Sequence, residues 1–355
     1  MFTSSSHTPK ATQPPAKEVS FDALLPPEMA AKAAEIGVKK TKLDTMRMFL
    51  LAVLAGAFIA MGAIFATTVS AGASALPYGV ARFLAGLVFT LGLILVVVSG
   101  SELFTGNNLI VIAYANRRVT LGALLRNWGV VYLGNFVGAI LTAGLMFLTR
   151  QYTFGAGSIG LVALNTGEAK TNLAFVQALA LGIFCNALVC MAVWMCFSAR
   201  STVDKILAII PPIAAFVAAG FEHSIANMYF IPIALFIKQF GTAKFFETIQ
   251  KTPADFPHLT WNNFFLVNLV PVTIGNIIGG ALMVGVMYWV IYLSKTQKAS
   301  VTAEASVRVV PATTRPEVPA PIFYVTHEPP IRSLEAPVQA MSAKSEEGKS
   351  SEVRL

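Results

Sequence analysis

The sequence predicts an all-α polytopic membrane protein: six transmembrane helices in an inverted 3+3 repeat, with helices two and five broken. Three observations carry this reading. The 355-residue chain is 55% hydrophobic and only 12% charged, where ordinary soluble domains carry about 25% charged residues. Two apolar stretches each hold a carboxylate followed five residues later by an asparagine, in Ser101-Glu102-Leu103-Phe104-Thr105-Gly106-Asn107 and Phe221-Glu222-His223-Ser224-Ile225-Ala226-Asn227. A second pair of copies, Gly134-Asn135-Phe136-Val137-Gly138 and Gly275-Asn276-Ile277-Ile278-Gly279, follows in the same order.

Residues 1–44 form an amino-terminal segment whose stretch 21–42 is amphipathic, with Leu24, Leu25, Met29, Ala33 and Ile36 on one side. Such a helix can lie along a membrane surface or fold as a cap on a bundle. The membrane domain is expected over 45–294, with spans near 45–70, 80–113, 127–148, 173–198, 206–236 and 264–293. Each is long enough to cross a hydrocarbon core of ~30 Å, which takes roughly 20 residues. The second and fifth are over-long and carry the Glu motifs, so each reads as two half-helices around a break. Non-helical backbone at membrane depth is tolerated only where protein or a water-lined cavity satisfies it. Segment 295–355 is rich in Pro, Ala, Ser, Glu and Lys and reads as a disordered cytoplasmic tail.

Basic residues set the orientation. Lys39, Lys40, Lys42, Arg47, Arg117, Arg118, Arg126, Arg200, Lys205, Lys295 and Lys298 fall on one side, outnumbering Arg82, Arg150, Lys170, Lys238, Lys244 and Lys251 on the other. Both termini are therefore expected in the cytoplasm. No secretory signal is expected, because the first apolar run begins beyond residue 45. The net charge of +8 is dispersed over tails and short loops, which argues against nucleic acid as a partner.

A charge at bilayer depth costs at least about 2.5–3.5 kcal/mol, so Glu102 and Glu222 are candidate pathway residues. Three spans per repeat is an odd number, which inverts one half relative to the other and places the pathway where the halves meet. Glycines four apart clear a helix face for close packing; the adjacent Asn can bond across an interface or to a neighbour's broken backbone. The halves differ where Leu103 stands opposite His223 and Thr105 opposite Ile225, so the joint break offers one imidazole and one hydroxyl. An adjacent carboxylate favours the charged form of a histidine, and Glu222 is expected to hold His223 in this way. Amides at the half-helix N-termini attract anions. The site thus suits a small monovalent anion and can supply a proton. Phe89, Leu93, Leu103, Phe104 and Phe216 flank it, as a narrow constriction or as ordinary packing. Asn186 is a polar residue of the fourth span that can bond to a helix or face a pore.

Cys185, Cys190 and Cys196 match neither a metal site nor a redox pair, and no cofactor is expected. No phosphate-binding loop, dinucleotide fingerprint or triad is present. A membrane hydrolase built on His223 and Ser224 would lack a nucleophile elbow, so no enzyme is expected.

At these residues the chain resembles the formate/nitrite transporter family, and within it the bacterial formate channel branch. The likeness rests on the two Glu motifs and on Asn127-Trp128, Tyr132-Leu133-Gly134-Asn135, Ala192-Val193-Trp194-Met195, His258-Leu259-Thr260 and the run from Asn268 to Gly280. It implies an aquaporin-like protomer in a homopentamer, one pore each, in a bacterial inner membrane. It implies that His223 is the central pore histidine and Thr105 its partner, with Leu93 and Phe216 at an inner constriction and Phe89 toward an outer one. Lys170, Asn186 and Asn276 match positions linked to pore electrostatics or substrate handling. Formate and protons are the implied cargo, and a formate-producing enzyme is an implied partner at an amino-terminal segment that moves with pH. Glu102-Leu103-Phe104-Thr105-Gly106-Asn107 departs from the Asp-Leu-Phe-Thr-Ser common in that branch, which keeps nitrite and hydrosulfide open as substrates. A membrane scaffold working through its tails is the reading from another class.

Overall fold

The computed structural model describes residues 23–294. The tail 295–355 and the start of the amino-terminal segment lie outside the described residues. Ten main helical elements organise the rest, beside the short helix Ala243–Thr248 and a few single turns: α1 Pro26–Thr41, α2 Thr45–Ser70, α3 Tyr78–Ser99, α4 104–115, α5 Leu121–Leu148, α6 Ser158–Thr171, α7 Phe175–Ser198, α8 Thr202–Ala219, α9 Ser224–Phe240 and α10 Trp261–Tyr292. Six of them (α2, α3, α5, α7, α8 and α10) are long and apolar enough to cross a membrane, and no strand occurs among the described residues.

Local chemistry fixes where these helices start and stop. Asp44 caps α2 by accepting from the amides of Met46 and Arg47, and Ser201 with Asp204 forms a capping box on α8. Gly100 and Gly220 end α3 and α8 at φ +74° and +78°, a left-handed conformation that glycine adopts without a Cβ penalty. The chain then runs extended to Leu103 (φ −109°, ψ 124°) and to His223 (φ −109°, ψ 112°), where α4 and α9 begin. Spans two and five are broken as the sequence predicts. Span six is continuous, with wider π-type turns over Phe264–Leu269 and Ile278–Val286.

The glycine repeats pack as expected. A Cβ on Gly138 of α5 would collide with the Val53 carbonyl of α2, and one on Gly279 of α10 would collide with the Ile183 carbonyl of α7. Only bare backbone permits these two crossings.

Each half also contains a helix that the sequence reading did not pair. The non-spanning α6 stands before α7 as α1 stands before α2, with Gly37/Gly167, Lys40/Lys170 and Thr41/Thr171 at matching places. Gly37 seats against Ala113, and Gly167 against Ala234. The duplicated unit is therefore a short helix plus three spans. α1 is a cap on the bundle: Ala30 and Ala34 are fully buried, the Lys32 ammonium donates to the Phe197 carbonyl at 2.6 Å, and the Ser198 hydroxyl donates to that of Leu24 at 2.9 Å.

Candidate functional site

Two copies of one polar framework hold the breaks open. In the first, the Lys40 ammonium lies 2.7 Å from Glu102 Oε1, and Asn107 Nδ2 donates to Glu102 Oε2 and to Asn127 Oδ1 at 2.7 and 2.9 Å. In the second, Lys170 lies 2.6 Å from Glu222 Oε1, and Asn227 Nδ2 donates to Glu222 Oε2 and Asn268 Oδ1, both at 2.7 Å. Both carboxylates are buried, each paired and hydrogen-bonded, the condition under which a buried charge is tolerated. The glycine-adjacent asparagines serve the backbone. Asn135 donates to the Ala52 and Glu102 carbonyls and accepts from the Phe104 amide; Asn276 donates to those of Gly182 and Glu222 and accepts from the Ser224 amide.

This framework corrects three expectations. Glu222 does not hold His223, because both its oxygens are engaged by Lys170, Asn227 and Asn268. Glu102 is likewise bound to Lys40 and Asn107, so both carboxylates act as frame rather than as free charges. The first amides of α4 and α9, expected to face an anion, are taken by Asn135 and Asn276.

The unique pair sits between the frames. His223 Nε2 lies 3.1 Å from Thr105 Oγ1, joining the two breaks directly. Its Nδ1 accepts the Ala226 amide at 3.0 Å, so the histidine is the N-cap of α9. A backbone N–H can only donate, which leaves Nδ1 bare and the neutral ring's proton on Nε2, aimed at the threonine oxygen. The symmetry-related pair is Leu103 of the first break and Ile225 of the second, which can make no such contact.

A cavity of about 600 Å³ opens onto one side of this pair. Among its lining residues are Arg82, Phe89, Lys170, Phe216, Glu222 and His223. The Phe216 ring stacks on the His223 imidazole at a centroid separation of 5.9 Å and meets Phe89 edge-on at 5.7 Å. Phe216 and Phe89 therefore stand together on the cavity wall. Leu93 is buried one turn of α3 closer to the break. Leu103 and Phe104 are buried in the break itself, with the Phe104 ring edge-on to Tyr132 at 4.9 Å. Asn186 and Asn276 are absent from the cavity wall; Asn186 donates to the carbonyls of Asn276 and Thr105 at 2.7 and 3.2 Å and ties α4, α7 and α10 together.

The sequence reading passed over Lys40, Asn127 and Asn268 as parts of the frame. One signal was available: Asn127/Asn135 and Asn268/Asn276 repeat the same eight-residue spacing, which puts each pair near one helix face.

A duplicated bundle with two broken spans, meeting at a His–Thr contact beneath a polar-rimmed cavity, defines a membrane pore or carrier for a small solute. The family model described as Formate/nitrite transporter matches residues 27–290. The formate channel FocA of Escherichia coli (strain K12) is 48% identical over 273 residues, covering 77% of this chain and 96% of that protein. The formate channel FocA of Haemophilus influenzae is 40% identical over 280 residues, covering 79% and 98%. Among solved structures, a pentameric formate channel with formate bound is 47% identical with a TM-score of 0.68, covering 70% of this chain and 98% of its own. The chain belongs to the formate/nitrite transporter family.

Proposed function

We propose that this protein moves formate in both directions across a bacterial inner membrane, as a proton-coupled passive pore, one per protomer of a homopentamer, with both termini cytoplasmic. The observation that carries the mechanism is the His223–Thr105 contact at the base of the cavity. The formate specificity and the assembly rest on likeness to the formate channels, and the orientation rests on the bias of basic residues.

The energetics favour neutralising the anion. Carrying a bare carboxylate through an apolar passage costs tens of kcal/mol by Born estimates. Protonating an acid of aqueous pKa about 3.9 at pH 7 costs about 4 kcal/mol. Formate enters past Phe89 and Phe216, drawn by Lys170, and receives hydrogen bonds from His223 Nε2 and the Thr105 hydroxyl. When Nδ1 takes up a proton from bulk water and releases the Ala226 amide, the imidazolium passes its Nε2 proton to a formate oxygen. Neutral formic acid then crosses the apolar stretch near Leu93, Leu103 and Phe104. The ring, left protonated on Nδ1, gives that proton to water and takes one from water at Nε2, which restores the resting tautomer and the Ala226 bond.

Flux into proteoliposomes tests this. The wild-type protein should move formate with co-uptake of protons, and His223→Phe should abolish the proton coupling; unchanged pH-dependent uptake in that variant would sink the mechanism. A panel of formate, nitrite and hydrosulfide tests the substrate, which is misassigned if either of the others moves and formate does not. Deleting 296–355 should leave conduction intact, whereas a tail-based scaffold would lose its role.

α1 is the site where a formate-producing enzyme would dock and where pH would bias flow. Truncating residues 1–36 should alter import relative to export in an assembled pentamer. Import and export rates unaltered from the full chain would reject the gating role, and loss of assembly would show that the helix only holds protomers together.

A further inference from the structure

Arg82 stands in the first turns of α3, on the rim of the cavity, and does something no other rim cation does. Its guanidinium donates from Nη2 to the Val217 carbonyl at 2.6 Å and from Nε to the Ala218 carbonyl at 3.1 Å. These belong to the last turn of α8, where helix carbonyls run out of intrahelical donors. Gly220 and Phe221 close that turn by donating to Val217 and Phe216, which leaves the Ala218 oxygen to Arg82.

The placement matters for the entrance. Phe216 immediately precedes the two clamped residues, and its ring partner Phe89 lies seven residues after Arg82, about two turns along the same face of α3. Between them Gly86 packs directly on the Ala214 backbone, where a Cβ would find no room. The fork and the glycine contact thus fix how far α8 stands from α3 beside the aromatic pair. A lysine can reach two carbonyls, as Lys238 does with those of Phe256 and Leu259, but from one atom on a flexible stem, so it would not fix the spacing of α8 and α3 as a rigid planar fork does.

We propose that Arg82 is a positioning residue: by clamping the last turn of α8 to α3 it sets the Phe89–Phe216 aperture and so the size of the weak acid admitted. This deepens the formate-channel reading and rests on it. The experiment measures uptake of formate and of acetate by proteoliposomes holding wild-type, Arg82→Lys and Arg82→Gln proteins, each verified as an assembled oligomer. Formate uptake by the wild type tests the channel reading itself; without it the reading fails and not merely the clamp. Given that uptake, the acetate-to-formate rate ratio should rise at least several-fold in both variants. Loss of folded protein would scale both fluxes together and leave the ratio untouched. An unchanged ratio in both variants overturns the proposal. So does a rise confined to Arg82→Gln, because charge rather than the two-carbonyl fork would then set the aperture.

Discussion

The two breaks share a backbone course, an ion pair and three asparagines, yet only one carries a histidine. Lys40–Glu102 and Lys170–Glu222 match to within 0.1 Å, and the conformations at Leu103 and His223 differ by 12° in ψ alone. Against that constancy, His223 takes the place that Leu103 holds in the other half, and Thr105 the place that Ile225 holds. The lesson is that duplication supplied the frame, whereas chemistry entered at positions the frame leaves free. Positions 103 and 223 are both N-caps that follow a break, and from there His223 reaches Thr105 of the other half. A residue there can change without disturbing the Glu–Lys–Asn network beside it.

The largest test of this division breaks the ion pairs. Glu102→Gln and Glu222→Gln each strand a mostly buried ammonium, and removing one partner of a buried pair costs ~3–5 kcal/mol. Both variants should therefore show steep losses of thermal stability in detergent. Lys170 is the more buried lysine, at 16% side-chain exposure against 27% for Lys40, so the Glu222 variant should fall further. A variant of either glutamate that keeps its wild-type melting midpoint would show that its pair is no frame element.

A smaller effect should follow from Asn135→Ala and Asn276→Ala. Each removes one acceptor and two donations inside the bundle, and every buried polar group left unsatisfied costs about 1–3 kcal/mol. If the halves are equivalent as frames, the two melting midpoints should drop by similar amounts. Asn276→Asp keeps the acceptor for the Ser224 amide but loses the donations to Gly182 and Glu222, and should be no more stable than Asn276→Ala once its new charge is buried. A large inequality between the two alanine variants would break the symmetry that the hydrogen bonds display.

Much of this architecture was legible in residue order. Apolar length located the spans, and the Glu motifs marked the breaks, because each follows a glycine that can adopt the left-handed cap. Gly134 to Gly138 and Gly275 to Gly279 correctly announced close crossings. The role of the glutamates was not legible in the motif alone. An intramembrane carboxylate reads as function until its cation is known, and Lys40 and Lys170 lie 62 and 52 residues away on helices that do not span. Those helices escaped pairing because α1 and α6 share only an alanine, a glycine, a lysine and a threonine, too few to stand out as a repeat. The contact of Phe216 with Phe89 was not legible for a related reason: which aromatic meets which depends on how α3 and α8 run past each other, a tertiary fact.

The smallest expected effect concerns a place where the frames already differ. Asp44 caps α2, accepting from the Arg47 and Met46 amides at 2.9 and 3.3 Å, whereas Ala174, its counterpart before α7, supplies no side-chain cap. The bond from the Arg47 amide, then that from Met46, holds the Asp44 carboxyl below its usual range, and the charges of Arg47 and Arg126 add to this. A depressed folded value means that the ionised form is the one favoured by folding. The stabilisation is therefore present above the unfolded pKa of about 3.9 and disappears as pH falls through the folded value. Asp44→Ala, which makes the first half resemble the second, should lower the melting midpoint slightly at pH 7. The gap should close as both proteins are taken below pH 4. Ala174→Asp should do the reverse, adding a small pH-dependent gain by capping α7. A difference between Asp44→Ala and wild type that stays constant across the acid range would assign the effect to something other than the carboxylate cap.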